Sequence, residues 1–380
     1  MRALLYCAGG GIGDSLIASI VARALHQRYE RVDALTLPAH RSTLERVPDL
    51  DAVWVDDGGD EAALAASLRE REYNACVVTW ATARTARIPK LAKIPIRVGQ
   101  SRRLYSRDFT RRVLVRSEDG NVTSHWSDIL LDYARALQCD TADRIPRFVP
   151  TAADEAEASL VIPSVVSEAN GVEGPYIILH PTNAIASQRG NWPVRSWAAL
   201  ARALADRYQA AVLLSGAASD EAINAAILRQ AQDDRVRAQD DRVRAQDDRV
   251  RAQDERVNAQ DDRVFNVAGR LGIGAFGALA RRARAFVGIT TGTMHVAAAV
   301  GAPTIGIFPF QSDFPERWAP LGPQTALVRP DYPCHPGDTK EKCRDYACIA
   351  NLDVDRILAS ADSLIGGGLL RARHDSTVHL

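Results

Sequence analysis

The stretch Val287–Pro303, with the sequence VGITTGTMHVAAAVGAP, changes character twice within a few residues. The apolar run Ala285–Ile289 ends on the polar turn Thr290–Thr293, and a segment of small residues follows with His295 in its first turn. A second apolar run, PTIGIF, comes directly after that segment. A strand, a polar turn, a helix and a strand in this order predict a βαβ unit of a parallel sheet.

The same alternation of strand and helix patterns runs through most of the chain. Further strand patterns are RALLYCA, VDALTLPA, AVWVDD and NACVVTWA in the first 110 residues, and YIILHP, AAVLLSG and VFNVAG in the second half. Helical patterns such as SLIASIVARALHQRY and SWAALARALADRY separate them. We therefore expect an α/β protein with two doubly wound domains and a cleft between them, in which ligands bind at the carboxyl ends of strands.

An acidic stretch containing Pro and Gly, residues 151–174, predicts the junction of the two domains. We place the N-terminal domain at residues 1–165 and the C-terminal domain at residues 166–345. Residues 346–380 are expected to form a C-terminal helix and tail.

Residues 231–258 consist of four copies of a seven-residue repeat, AQDDRVR three times and then AQDERVN, before AQDDRV leads into FNVAG. Ala231 and Val236 are five residues apart, or about 140° on a helix, which does not form a coiled-coil seam. Asp233 and Arg237 have the favourable i,i+4 order of acid and base. We expect a solvated insertion, partly helical or disordered, without a role in the active site.

Charge is balanced over the 380 residues, with 47 Lys and Arg against 47 Asp and Glu, which argues against a nucleic-acid partner. The interval from Arg84 to Arg116 is different, because it contains eleven basic residues and only one acid, Asp108. Such an interval suggests an anionic partner, or else a solvated face paired locally within the fold. No signal peptide or membrane span is visible, so a soluble cytoplasmic protein is expected.

The six cysteines do not form a paired CxxC pattern. Cys7, Cys76 and Cys139 lie in apolar segments and should be core residues in a reducing compartment. The other three, Cys334, Cys343 and Cys348, are expected to be free thiols or a structural clip. His335 could serve as a fourth metal ligand beside them, but the spacing is not that of a zinc site and no metal is predicted.

Asp14 follows the glycine-rich turn after the first predicted strand. The turn reads Gly9-Gly10-Gly11-Ile12-Gly13-Asp14, so the GxGxxG pattern of a dinucleotide site is not met. Asp14 suits two roles: a helix cap, or a carboxylate that accepts a proton from a substrate hydroxyl.

Two further strand ends contain groups suited to an anion. His180 and Pro181 lead into Thr182, Asn183 and Arg189, which supply a hydroxyl, an amide and a guanidinium. At the second strand end, the turn through Thr291, Gly292 and Thr293 opens a helix whose free N–H groups favour a phosphate. In both cases the alternative is a polar loop that caps the next helix.

Taken together, these segments resemble the heptosyltransferase family, which transfers heptose from ADP-heptose to lipopolysaccharide. GGGIGDSLIASIVARALHQRY resembles its opening SxLGD turn and helix, YIILHPTNAIASQRGNWP its HPGxxxxxKRWP segment, and VGITTGTMHVAAAVGAP its DTGxxHxAAAxGxP region. The resemblance covers about residues 1–360. It implies a GT-B fold of two Rossmann-like domains and an inverting, metal-independent transfer without a cofactor.

The resemblance also implies roles for individual residues. Asp14 would be the general base. The donor phosphates would be bound by Thr182, Asn183, Arg189, Thr291, Gly292, Thr293 and His295. The donor sugar or ribose would contact Thr290 and either Asp220 or Glu221. The acceptor, an anionic glycolipid at the inner membrane face, would be bound by Gly11, Gly13, Arg102, Arg103, Arg111 and Arg112. No obligate protein partner is expected.

Two departures from the family pattern concern the donor. The usual Lys before Trp-Pro is Gly190, with Arg189 beside it, and the usual Asp before Thr-Gly is Thr290. They leave two alternatives open, an enzyme of this fold that uses another nucleotide-sugar and an inactive binding module. Asp14 argues against the inactive module, because a binding module has no need of a base.

Overall fold

The computed structural model describes most of the chain, namely residues 1–162, 175–182, 191–246, 263–308, 310, 315–333, 335, 337 and 343–366. Its internal contacts divide the chain into two compact units. The first unit comprises Met1–Thr151, His295–Val300 and Phe314–Gly322, and the second comprises Ala152–Met294, Gly301–Asp313 and Pro323–Leu380.

The first unit is built on a six-stranded parallel sheet in the order β3-β2-β1-β4-β5-β6. The strands are β1 (Arg2–Tyr6), β2 (Arg31–Thr36), β3 (Ala52–Val55), β4 (Ala75–Val78), β5 (Ile96–Gln100) and β6 (Arg111–Val113). The helices are α1 (Ile12–Leu25), α2 (Pro38–Leu44), α3 (Glu61–Arg69), α4 (Ala83–Leu91) and α5 (Trp126–Arg135), with 3₁₀ turns at Leu104–Asp108 and Arg116–Asp119.

The second unit contains another six-stranded parallel sheet, in the order β12-β11-β10-β7-β8-β9. The strands are β7 (Tyr176–His180), β8 (Ala211–Leu214), β9 (Val264–Asn266), β10 (Ala285–Ile289), β11 (Thr304–Ile307) and β12 (Thr325–Val328). Its helices are α6 (Ala152–Ile162), α7 (Val194–Tyr208), α8 (Glu221–Gln246), α9 (Ile273–Arg282), α12 (Ala347–Ala350) and α13 (Val354–Ala361), followed by a π-helical turn at Asp362–Gly366.

The remaining described elements are a 3₁₀ turn at Ala218–Asp220 and two short helices, α10 (Gly292–Ala299) after β10 and α11 (Pro315–Trp318) after β11. The residues of α10 fall in both units, since the division comes between Met294 and His295. None of the helices in the described ranges combines the length and hydropathy needed to span a bilayer.

The strand sequences explain why both sheets are buried. Strands β1, β4, β7 and β10 read RALLY, ACVV, YIILH and AFVGI, and all their residues except Arg2 are buried. Continuous apolar runs are typical of parallel strands covered by helices on both faces. The prediction of an α/β protein with two doubly wound sheets is confirmed.

The first repeat unit, residues 231–237, is helical and contacts the core at its start, while Asp233, Val236 and Arg237 are exposed. Helix α8 continues through residues 231–246, and Ala231 is buried against the core of the second unit. An ion pair of 3.2 Å joins Asp234 to Arg202 on α7, and Gln230 donates to Asp234 at 2.8 Å. The sequence therefore predicted the helical part of this segment but missed its packing. Residues 247–262 lie outside the described residues.

Removing residues 231–258 should leave the fold and the activity intact. The copy that begins at residue 259 has the same AQDDRV sequence, so the shortened chain again carries Ala and Asp where Ala231 and Asp234 now pack. A thermal melt of the shortened protein should give a midpoint within a few degrees of the full chain. As a contrasting change, Ala231→Asp in the full chain should lower stability by about 2 kcal/mol or more, because it buries an unpaired charge. Collapse of the shortened protein would show that the extra copies are needed for folding.

Candidate active site

Asp14 lies at the carboxyl end of β1, in the first turn of α1. Its Oδ2 accepts a hydrogen bond from the backbone N–H of Gly11 at 2.7 Å and so caps the helix. Gly10 has a φ of +68°, and a Cβ there would lie 2.5 Å from the same oxygen. The turn needs glycine at this position both for its left-handed backbone and for the close approach of the carboxylate.

The surroundings of Asp14 keep its carboxylate a better base than an exposed aspartate. Burial raises the pKa of Asp14, and the Gly11 N–H and the nearby His40 oppose that rise. The side chain of His40 is buried and lies 2.8 Å, through Nδ1, from the Oγ of Ser15. Burial lowers the pKa of His40, so its ring is mainly neutral at neutral pH. A carboxylate of raised pKa beside a neutral ring is suited to general base catalysis.

A pocket opens beside Asp14 within the first unit. It is lined by Cys7, Gly9, Asp14, Ser15, Ala18, Thr79, Trp80, Trp126 and Leu130. The loops that follow β1 and β4 form much of its wall, and these two strands are neighbours at which the strand order reverses. Ligands of open α/β sheets bind at such a switch point. Gly11 and Gly13, predicted to contact the acceptor, flank the start of α1 at the same edge.

The basic interval is largely paired within its own unit. Arg102 contacts Asp119 and Arg103 contacts Glu118, each at 2.5 Å, while Arg111 donates to the carbonyl of Ala136. Outside the predicted acceptor set, the ion pairs include Arg84–Asp56, Arg87–Glu61, Lys90–Asp108 and Arg116–Asp132. This pairing supports the local-pairing alternative for most of the interval. Arg112, by contrast, is exposed on β6.

The second unit has a corresponding switch point between β7 and β10. Gly288 of β10 lies opposite His180 of β7, and a Cβ on Gly288 would lie 2.9 Å from the Cβ of His180. Glycine therefore allows the imidazole to lie against the neighbouring strand. Thr182, two residues beyond His180, is also buried at this edge. Asn183 and Arg189 lie outside the described residues.

His180 is held neutral in this unit. Its Nδ1 lies 3.0 Å from the Oγ of Ser215, and burial lowers its pKa to about 4, with the Asp220 carboxylate opposing that fall. Asp220 accepts from the backbone N–H of Ala217 at 2.8 Å. Of the two acids predicted to contact ribose, Asp220 is thus electrostatically coupled to His180, whereas Glu221 is exposed at the first residue of α8.

The turn between β10 and α10 carries three hydroxyls. The N–H of Thr290 donates to Ile307 on β11 at 3.0 Å, which continues the sheet by one residue. Helix α10 begins at Gly292, and the hydroxyls of Thr291 and Thr293 are 2.7 Å apart. The first N–H groups of a helix have no partner within it, so an anion can bind there.

His295 lies in the first turn of the same helix and is buried. Burial lowers its pKa to about 3, and the neighbouring His125 adds to that fall. His125 caps α5, accepting from the N–H of Ser127, and its Nε2 lies 3.0 Å from the carbonyl oxygen of Ala319. As a ligand for phosphate, a neutral His295 would contribute an N–H donor rather than a charge.

Sequence reasoning missed three side chains near Asp14. His40 and Trp80 occur in LPAHRS and VVTWATAR, where no motif marks them, and the tertiary fold brings them to the β1 turn. Trp126 begins helix α5, which was predicted, but the apolar periodicity of this helix does not show that the indole lines a pocket.

The comparisons with known proteins identify the class to which these two sheets and their loops belong. The model of glycosyltransferase family 9 (heptosyltransferase) matches residues 62–237 and 243–347, so the chain belongs to this family. The resemblance inferred from the sequence is confirmed. No curated protein sequence matches the chain.

Several solved structures share the fold. Escherichia coli ADP-heptose LPS heptosyltransferase II matches with a TM-score of 0.73 and 21% identity, over 97% of this chain and 99% of that one. A family 9 glycosyl transferase from Veillonella parvula DSM 2008 matches with a TM-score of 0.73 and 14% identity, over 96% and 97%. E. coli heptosyltransferase WaaC with ADP matches with a TM-score of 0.64 and 14% identity, over 95% and 100%.

Acid should destabilise the second unit through His180. The unfolded histidine titrates near 6.5 and the folded one near 4, so the unfolded state binds more protons between these values. Stability is therefore lost as pH falls through this window, by up to about 1.4 kcal/mol per pH unit for each such histidine. Urea unfolding at several pH values should show that the free energy of unfolding depends less steeply on pH in His180→Gln than in the wild type. His26→Gln, at an exposed residue, serves as the control, and an equal slope for wild type and His180→Gln would contradict the assignment.

Proposed function

We propose that this glycosyltransferase transfers heptose from ADP-heptose to lipopolysaccharide core or a related cell-surface glycan, with inversion at the anomeric carbon. The observation that carries the proposal is the Asp14 carboxylate, which has a raised pKa and lines a pocket at the switch point of its sheet. Family membership supplies the reaction class, and heptosyltransferases that share the fold, one of them with ADP bound, support the choice of donor.

The chemistry follows from one carboxylate. An acceptor hydroxyl loses its proton to an oxygen of Asp14 as its oxygen forms a bond to the anomeric carbon. On the opposite face, the bond from that carbon to the diphosphate oxygen breaks, and ADP departs with the electron pair. A single displacement of this kind inverts the configuration, and it requires no covalent enzyme intermediate.

Asp14 is well placed for this role because of the Gly11 hydrogen bond. One oxygen, Oδ2, is occupied by the N–H of Gly11, which fixes the orientation of the carboxylate. The remaining lone pairs of the carboxylate can accept the proton of the acceptor hydroxyl. The raised pKa makes the carboxylate a stronger base than an exposed aspartate.

For the leaving group, the proposal uses the start of α10. Charge develops on the diphosphate as the glycosidic bond breaks, and free helix N–H groups stabilise it there without reorganising. The hydroxyls of Thr291 and Thr293 add donors, and Thr182 and the neutral His295 would add further polar contacts. In the predicted set, Asn183 and Arg189 complete the phosphate contacts and Asp220 takes the ribose.

The acceptor is proposed to be an anionic glycolipid. The exposed Arg112 is a candidate for its phosphates or carboxylates, whereas the pairs of Arg102 and Arg103 would have to rearrange to bind it. Reaction at the cytoplasmic face of the inner membrane, without a resident metal or cofactor, stays a prediction of the sequence resemblance.

A second candidate donor is a different nucleotide-sugar. Thr290 stands where the family pattern has an aspartate, so a short neutral side chain replaces a carboxylate expected to bind sugar hydroxyls. Without this carboxylate, the sugar hydroxyl that would donate to it is left unpaired on binding, which reduces affinity for that sugar. A site with threonine here therefore favours different sugar hydroxyls.

Replacing Asp14 by Asn should reduce transfer by about 10²- to 10⁴-fold, because the amide retains the cap to Gly11 but cannot take a proton. The wild-type rate should also fall with acid at a higher pH than the ordinary aspartate value of 3.8 would give, since the pKa of Asp14 is raised. Both effects are measured by release of ADP against pH.

Asp60→Asn is the matched control for this change, because Asp60 caps α3 through the N–H of Ala63 at 2.7 Å. It should transfer at the wild-type rate. Near-full transfer by Asp14→Asn would eliminate Asp14 as the base.

A donor screen tests the choice of sugar. ADP-heptose should raise the melting temperature and support transfer to a deacylated lipopolysaccharide inner-core oligosaccharide, and added EDTA should leave the rate unchanged. GDP- and UDP-sugars provide the comparison. If one of these stabilises and transfers while ADP-heptose does neither, the heptose assignment is wrong.

A further inference from the structure

Trp80 is the most exposed of the six tryptophans, with 41% of its surface accessible, although it lies beside the candidate base. It follows β4, whose last residue, Val78, pairs with Tyr6 at the end of β1. The next amide, that of Thr79, donates to the carbonyl of Tyr6 at 3.1 Å. The sheet thus brings the indole to the turn that carries Asp14, and both side chains line the same pocket.

Hydrogen bonds from side chains hold the backbone at Trp80 and at the next residue. The carbonyl of Trp80 accepts from the hydroxyl of Thr85 at 3.0 Å, and the carbonyl of Ala81 accepts from the hydroxyl of Tyr105 at 2.7 Å. Thr82 caps α4 two residues later. A large apolar ring is therefore displayed to solvent on a rigid support.

Gly9 shows how closely the ring approaches the turn. A Cβ on Gly9 would lie 2.0 Å from Cδ1 of Trp80 and 2.4 Å from its Nε1. Gly9 has no left-handed backbone angle that would demand glycine, so close approach of the indole is the reason for glycine here. One edge of the ring is thereby packed against the turn, and the rest remains accessible.

The pocket combines apolar rings with hydrogen-bonding groups. Trp126 lines it with Trp80, and its own ring packs on Trp318 with centroids 5.3 Å apart. Its polar lining residues are Asp14, Ser15 and Thr79, of which Ser15 lies with its Oγ against His40. A pyranose combines the same two kinds of surface, because its axial C–H groups form an apolar face and its hydroxyls lie around the rim. Aromatic rings give such a face a large rigid contact area.

We propose that Trp80 forms the floor of the acceptor-sugar subsite, on which the apolar face of the sugar stacks while one of its hydroxyls reaches Asp14. The proposal rests on the proposed function, since it assigns the pocket beside the base to the acceptor. Trp80 acts here as a positioning and specificity residue: stacking fixes which hydroxyl meets the carboxylate.

The test compares Trp80→Ala, Trp80→Phe and Leu91→Ala. Leu91, at the end of α4, is 40% exposed, so it controls for loss of a similarly exposed apolar side chain in the same unit. The probe is the deacylated inner-core oligosaccharide, with binding followed by calorimetry and transfer followed by ADP release. Trp80→Ala should raise Kd and KM for the oligosaccharide about tenfold, given the usual strength of aromatic contacts. The KM for the donor should be unchanged, and Phe should restore most of the loss.

The outcomes separate this inference from the proposed function. Wild-type transfer with an unaltered oligosaccharide Kd and KM in Trp80→Ala overturns the subsite and leaves the function standing. Binding that depends on Trp80, together with no transfer of heptose, supports the subsite and overturns the function. No binding of the oligosaccharide by the wild-type protein overturns the subsite. An equal loss in Leu91→Ala also overturns it, because the effect would then not be specific to the indole.

Discussion

Parallel pairing of β1 with β4, and of β7 with β10, is the constraint on which both candidate sites depend. Strands that run the same way end at the same edge, so loops distant in sequence are brought to one place. In the first unit this edge joins the Asp14 turn to Trp80. In the second it joins His180 and Thr182 to the turn before α10. At each switch point the connections that follow the two neighbouring strands turn in opposite directions, which leaves room between the two loops.

At both sheet edges, burial shifts the pKa values of the titratable groups. Desolvation raises the pKa of Asp14 and lowers those of His40, His180 and His295. The carboxylate thereby becomes a stronger base, and the imidazoles become neutral donors or acceptors. Towards an anion, a neutral imidazole contributes a hydrogen bond but no charge.

The sequence predicted what local pattern can encode. Strand and helix order followed from periodicity, and Asp14 and the Thr291–Thr293 turn stood out because they follow glycine or strand ends. Trp80 and His40 could not be found this way, because their proximity to Asp14 is set by pairing between strands about 70 residues apart and by helix packing. For the basic interval, the sequence suggested an anionic partner because no acids other than Asp108 are near in sequence. The acids that pair with it, such as Asp56, Asp119 and Asp132, lie outside the interval and are brought to it by the fold.

Helix α8 has a consequence for how the chain can change in length. Seven residues make nearly two full turns of a helix, with a drift of about 20° per unit. Because the copies are identical, loss of the first one would put Ala238 and Asp241 in the sequence positions of Ala231, now in the core, and Asp234, now paired with Arg202. Unequal copying of this segment would change the length of the connection between α8 and β9 in steps of seven residues, and every such step would keep the same AQDDRV sequence directly before FNVAG.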